Sequence, residues 1–356
     1  MSTRPRRSTR AARQKTTAAD GHDVDVAIIG GGAAGLACAT RILTDRPTAR
    51  LAIFERDCEL GGILLQCIHS GFGLSYLGQE LTGPEYRTIV LDRTPLARCQ
   101  VRLETHVTHI GPDRTVHSLG AAGPETWTCR HVVLATGARE VPFGALAIPS
   151  RRPAGIFTAG EAQYLINRQG LMPGRRAVIL GAGDIGLIMS RRFIFEGLEV
   201  AAVVERQAVP GGMPRNVQTC VHDFDIPLLT GASIVAVHGE RRVTGVTVAM
   251  VTSDGTPRRD VPLRQIACDT LLVAVGLLPE IDLAIELGAR RQGRRLETAD
   301  DGPTGAGRSS VPWLSVCGNA RQIHPIVDDV SREGEMVGAT VARELGNTSS
   351  IHGDRK

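Results

Sequence analysis

Aromatic side chains are scarce in this chain, with Phe 7, Tyr 3 and Trp 2 among 356 residues. Proteins that hold single-stranded nucleic acid stack its bases on such rings, so no nucleic-acid partner is expected. Long apolar runs are also missing. The longest stretch without a polar side chain, Val26 to Ala39, has 14 residues and contains four glycines, whereas a membrane-spanning helix needs about 20. No transmembrane segment is expected.

The eight cysteines (38, 58, 67, 99, 129, 220, 268, 317) never stand at C-x-x-C or C-x4-C spacing. Those spacings serve paired metal ligands and many redox disulfides. The ten histidines form no ligand run with them. A metal site and an internal redox disulfide are therefore not expected. Arg6-Arg7 is a twin arginine, but no apolar segment of the kind that export signals carry follows it before residue 24. A cytoplasmic, reduced setting is expected.

Charge is unevenly placed. The formal net charge of +4 includes Arg4, Arg6, Arg7, Arg10, Arg13 and Lys15, with no acid among residues 1–19. Taking those six away leaves the remainder at −2, slightly acidic. Residues 1–21 read as a disordered basic tail, and 348–356 as a second tail.

Glycine is plentiful, at 41 residues. Two glycine clusters share one plan. Val24 to Ile29 reads as a strand, runs into Gly30-Gly31-Gly32-Ala33-Ala34-Gly35, and continues as an apolar helix from Leu36. Ala177 to Leu180 meets Gly181-Ala182-Gly183-Asp184-Ile185-Gly186, followed by helical spacing from Leu187 to Phe195. A second strand follows each cluster. Leu51 to Phe54 ends at Glu55, beside Arg56, and Val200 to Val204 ends at Glu205; these acids lie 20 and 19 residues beyond the last glycine.

One G-x-G-x-x-G in a glycine-rich chain is weak evidence, but two in the same strand–turn–helix–strand–acid context are strong. In such a unit the first glycine makes the turn, the second admits a diphosphate and the third packs helix on strand. The helix N-terminus favours the anion, and the acid accepts hydrogen bonds from a ribose diol. Three more strand-like runs end in small residues: His131 to Ala135-Thr136-Gly137, Thr270 to Gly276, and Trp313 to Gly318-Asn319. A helix is expected from about Asp328 to Leu345, with two acids at its positive end.

This order of motifs resembles the two-dinucleotide-binding-domain flavoproteins, which include the pyridine nucleotide–disulfide oxidoreductases. The resemblance implies an α/β fold of two Rossmann-like domains, with an NAD domain (152–290) inserted in a discontinuous FAD domain (22–151 and 291–347). It implies FAD at Gly30, Gly32, Ala33, Ala34, Gly35, Glu55, Arg56, Gly61, Gly62, Ala135, Thr136, Gly137, Gly318 and Asn319. It implies a nicotinamide dinucleotide at Gly181, Gly183, Asp184, Ile185, Gly186, Glu205 and Gly276. Asn319 stands where the family usually has an acid for the ribityl chain. Glu205 favours NAD(H) over NADP(H), because a carboxylate repels a 2′-phosphate, although Arg206 is adjacent.

The segment Glu59 to Gly73, with Glu80 to Tyr86 and Val316-Cys317-Gly318-Asn319, is similar to FAD/NAD(P) oxidoreductases that accompany glycerol-3-phosphate dehydrogenase-like flavoproteins. More distantly it is similar to flavin subunits of sarcosine, opine and proline dehydrogenases. The resemblance implies electron exchange with a small-molecule or protein acceptor, including a partner dehydrogenase subunit. Two alternatives stay open: a flavin subunit that oxidises an amine, and a non-catalytic scaffold. Cys67, His69 and His324 are the catalytic candidates. Cys67 is either a site thiol or a buried small hydrophobe. The two histidines are acid/base groups or structural ones, and neither shows a carboxylate partner in the sequence. The helix near Asp328 is expected to aim its N-terminus at charge developing on the flavin.

Overall fold

The structure, a computed structural model, describes residues 22–299 and 307–347. Both expected tails lie outside the described residues. The chain builds two parallel sheets, one interrupted by the other. In the first, the strands Cys99–Arg102, Leu51–Phe54, His22–Ile29 and Gly123–Leu134 lie side by side, and Leu314–Val316 joins Gly123–Leu134 from a point far along the chain. All of these neighbours are parallel. Thr115–Gly120 and His106–Ile110 extend the sheet as an antiparallel meander. The second sheet is wholly parallel, in the order Ile156–Thr158, Thr270–Val273, Arg176–Leu180, Glu199–Val204, Leu228–Leu229. A three-stranded antiparallel sheet, Ala232–His238, Gly245–Met250 and Arg264–Ala267, packs beside it.

The central strands carry continuous apolar runs because both faces are covered. Against one face of the first sheet lie the helices Ala33–Asp45, Gly83–Arg93 and Val327–Asn347, sharing a core with Val26, Ile28, Leu36, Ile42, Ile53 and Val337. The other face buries Trp127, Phe54, Ile29 and Leu314. Local signals set the helix ends. Thr82 and Glu85 form a reciprocal capping box at the start of Gly83–Arg93, and Gly170, at φ +65°, closes Ala159–Gln169.

Two crossings join the units. The short strands Ala138–Glu140 and Leu277–Pro279 pair antiparallel where the chain leaves and re-enters the first unit. In each unit the parallel strands end on one edge, and at that edge the two glycine clusters sit, as ligand crevices do in open α/β sheets. Among the described residues no helix is long and apolar enough to cross a membrane.

Candidate functional site

The three glycines of each motif can be tested one at a time. A Cβ on Gly30 (φ +106°) would lie 2.3 Å from the carbonyl oxygen of Ala135, and one on Gly35 would lie 2.0 Å from the carbonyl oxygen of Gly30. The protein's own packing therefore requires both. Gly32 is different. Its backbone sits at φ −80°, ψ −169°, which any residue adopts, and a Cβ there would meet nothing within 4 Å.

The second motif repeats this pattern. Gly181 (φ +108°) abuts the Ala274 carbonyl oxygen at 2.2 Å, Gly186 abuts that of Gly181 at 2.2 Å, and Gly183 (φ −75°, ψ 170°) opens onto empty space. At both middle positions neither space nor backbone conformation calls for glycine. The open space lies at a helix N-terminus in each motif, where a diphosphate would fit.

The acids repeat as well. Glu55 Oε2 accepts the N–H of Gly31 at 2.9 Å and Oε1 that of Asp57 at 3.0 Å. Glu205 Oε2 accepts the N–H of Ala182 at 2.8 Å and Oε1 that of Gln207 at 2.8 Å. Each carboxylate braces its own glycine turn. An ionised carboxylate has about four acceptor positions, which leaves capacity for a ribose hydroxyl.

Around the first cradle, Gly61 donates its N–H to the Gly31 carbonyl at 2.9 Å, and a Cβ on Gly62 would come 3.4 Å from Gly32 Cα. Gly318 approaches from the other side, where its Cβ would lie 2.7 Å from that of Ala34. Ala33 and Ala34 are buried in the first helical turn, and Arg56 is exposed beside Glu55. Thr136 and Gly137 turn elsewhere: the Thr136 hydroxyl donates to the Glu280 carbonyl at 2.6 Å, and the Gly137 carbonyl accepts the Glu280 N–H at 3.0 Å. They tie the two crossings together.

In the second cradle, Asp184 Oδ1 accepts the Met213 N–H at 2.7 Å and the Asn216 amide at 2.8 Å, which folds the segment after Glu205 over the helix start. Ile185 packs into the core beneath. Gly276 (φ +120°) opens onto free space.

The three catalytic candidates separate. Cys67 is buried, which pushes its thiol pKa up to about 12, and its Sγ lies 3.7 Å from Gln163 Oε1 of the inserted unit. His69 is half-buried, its Nδ1 3.1 Å from the Ser70 carbonyl. A carbonyl only accepts, so Nδ1 carries the proton and Nε2 is an acceptor. Burial holds the His69 pKa below the ordinary histidine value; Arg191 adds to this, while Asp184 and the Ser70 carbonyl oppose it. Arg191 and Asp184 belong to the inserted unit, so Cys67 and His69 both lie where the units meet. His324 turns away to the Val327–Asn347 helix, where its Nε2 is 3.0 Å from Glu333 Oε2. The sequence showed no such partner, and the structure supplies one.

Several participants escaped the sequence. Gln66 Nε2 donates to the Gly160 carbonyl at 2.8 Å and to Gln163 Oε1 at 3.1 Å, and Asn167 Nδ2 donates to the Gln66 carbonyl at 2.8 Å. Asp328 accepts N–H bonds from Gly73, Ser75 and Tyr76 at 2.7–3.0 Å, anchoring the loop after His69. Neither amides nor acids in such places carry a periodic signal. Cys317 and Cys38 are buried in the same core. Among the described residues no cluster of His, Cys, Asp or Glu could hold a metal ion.

The chain matches the pyridine nucleotide-disulphide oxidoreductase family over residues 24–344 and belongs to it. That family is one of FAD-dependent enzymes using a nicotinamide dinucleotide. The chain is similar to an opine oxidase subunit from Agrobacterium tumefaciens, at 26% identity over 75% of this chain and 55% of that protein. It is also similar to the alpha subunit of sarcosine oxidase from Rhizobium meliloti, at 25% identity over 90% of this chain and 31% of that protein. It thus spans little more than half of the first relative and under a third of the second. In fold it resembles T. acidophilum thioredoxin reductase, with TM-score 0.73 and 20% identity over 91% of this chain and 99% of that one.

Proposed function

We propose that this chain is an electron-transfer flavoprotein unit. It binds FAD in the Gly30–Gly35 cradle and a nicotinamide dinucleotide in the Gly181–Gly186 cradle, and delivers electrons to a small-molecule acceptor or a partner dehydrogenase subunit. The duplicated cradle carries the reading: two middle glycines, Gly32 and Gly183, face open space with no structural need for glycine. Residues 22–151 and 291–347 form the FAD domain on this reading, and 152–290 the NAD domain.

Bound FAD would supply a centre that takes a hydride from the reduced nicotinamide. The chain's part is binding, orientation and exclusion of water. Gly61, Gly62, Gly318 and Asn319 line the first cradle, and Glu55 and Glu205 hold the riboses. The Val327–Asn347 helix offers its N-terminus to charge developing on the flavin. Cys67 takes no redox part: its burial and raised pKa disfavour the thiolate that disulfide exchange needs. Glu205 favours NADH over NADPH. The names of the opine and sarcosine oxidase relatives support a multi-subunit setting.

Anaerobic titration of the FAD-loaded protein tests this. NADH is expected to bleach the flavin absorption band, with NADPH slower. No bleaching by either nucleotide defeats the proposal, and bleaching by an amine alone transfers the case to the amine-dehydrogenase reading.

A further inference from the structure

One wall of the first cradle is held by both units. Gly61 and Gly62 stand at φ +127° and +54°. Glycine reaches such angles freely, and for the same reason nothing local stiffens the pair. The turn lies on the cradle: Gly61 donates its N–H to the Gly31 carbonyl at 2.9 Å, and a Cβ on Gly62 would come 3.4 Å from Gly32 Cα. What fixes it comes from the flanks. The first unit supplies Arg87, whose Nε donates to the Leu60 carbonyl at 2.6 Å, and Gly83, whose N–H reaches the Cys67 carbonyl at 2.8 Å. Between them the short helix Gly62–Gln66 ends against the inserted unit.

There Gln66 is gripped at its backbone and its side chain. Arg192 Nε donates to Asn167 Oδ1 at 2.9 Å. A guanidinium only donates, so Asn167 Nδ2 faces the other way, and it donates to the Gln66 carbonyl at 2.8 Å. Gln66 Nε2 donates to the Gly160 carbonyl at 2.8 Å and to Gln163 Oε1 at 3.1 Å. Gln66 is 8% exposed and Gln163 1%, so water reaches these bonds only if the units part. Arg192 lies on the helix Asp184–Phe195, which starts at the second cradle. A continuous series of contacts thus runs from that helix through Asn167 and Gln66 to the turn beside Gly32.

Resting on the reading that FAD fills the first cradle, we infer that Asn167, a residue of the inserted unit, is a positioning residue for FAD: it sets the Gly61-Gly62 wall through Gln66, so the cradle is complete only while the inserted unit is docked. The effect is reciprocal, and FAD in the cradle strengthens the docking.

Two substitutions separate this role from a structural one. Asn167→Ala removes both bonds. Asn167→Asp keeps an acceptor for Arg192 but sets a carboxylate oxygen against the Gln66 carbonyl, so the tie between the two helices survives and the tie to the wall is lost. A residue serving only the inserted unit would tolerate Asp. FAD affinity of the full-length apoprotein, read by quenching of flavin fluorescence, is expected to fall about three- to tenfold in both variants. It should stay unchanged in Tyr164→Ala, a control 46% exposed on the same helix. In wild type FAD should also slow hydrogen exchange across Ala159–Gln169, which holds no residue assigned to either cradle, and should slow it less in Asn167→Ala. Either Asn167 variant binding FAD as tightly as wild type, equal weakening by Tyr164→Ala, or exchange in Ala159–Gln169 of the wild type indifferent to FAD overturns the inference while leaving the cradle assignment standing. A wild-type apoprotein that binds no FAD overturns that assignment itself.

Discussion

Glu333 combines deep burial with three partners, Gly318, His324 and Arg321. Breaking a buried ion pair by removing one member is destabilising by about 3–5 kcal/mol. Glu333→Ala is expected to lose stability of that order, measured by urea unfolding; a loss under about 1 kcal/mol would mean that water reaches the site. His131 makes a second residue-level case. It is buried between strands, with Nε2 3.0 Å from Ser315 Oγ, and burial pushes its pKa down to about 3, with Arg114 and Arg308 adding to the effect. The unfolded chain binds this proton near pH 6.5 and the folded one does not, so stability is full above pH 6.5 and is lost as pH falls toward 3. The slope approaches about 1.4 kcal/mol per pH unit. Unfolding series at pH 7.5, 6 and 5 should show it, and His131→Gln should flatten it. Nothing in the run His131 to Gly137 distinguished this histidine from a surface one, because its partners are remote in sequence: Ser315, 184 positions away, at Nε2 and Glu344 Oε2, 3.5 Å from Nδ1.

At the scale of elements, the strand–glycine–helix units were legible, because their contacts close within a few tens of residues. Gly31 reaches Glu55 over 24 positions, and Ala182 reaches Glu205 over 23. The same geometry separates the glycines by function. Gly32→Ala and Gly183→Ala should keep folded stability within about 1 kcal/mol, since both backbones suit alanine. Gly32→Ala should lose FAD, and Gly183→Ala should keep a flavin spectrum yet lose its response to NADH. Gly30→Ala should unfold far more easily, because its Cβ would strike the Ala135 carbonyl. Unchanged FAD affinity in Gly32→Ala would mean that no ligand passes that point. Element bounds were less legible. The strand ending at Leu134 begins at Gly123, and its first half pairs antiparallel with Thr115–Gly120. Polar Glu125, Thr126 and Thr128 there hid a strand that partner pairing, not hydrophobic pattern, holds.

Across the whole molecule, the two units dock through buried amides. Gln163, 1% exposed, meets Gln66 and Cys67, while Asn167 links Gln66 to Arg192. Ion pairs of Glu59 with Arg87 and Arg168 flank this contact. Polar contacts of this kind set an orientation without demanding it, since either amide can find water when the units part. Gln66→Ala is expected to speed hydrogen exchange at the start of the Ala159–Gln169 helix and around residues 62–67, with little change in the global unfolding midpoint. Unaltered protection there would show that the crossing strands alone hold the units together.

The amino-acid order by itself determined the two cradles, the family and the insertion of one unit in the other. Those features are written in short segments whose glycines, apolar runs and acids act on near neighbours. Only the tertiary structure decided that Glu333 grips the Asn319 loop, that Asn319 accepts the His324 N–H, that Gln66 meets Gln163, and that Cys317 and Cys38 share one core. These side chains stand from 5 to 279 positions apart, on loops or in the interiors of elements. No periodicity marks them, because what brings each pair together is the folding of one unit's edge onto another's.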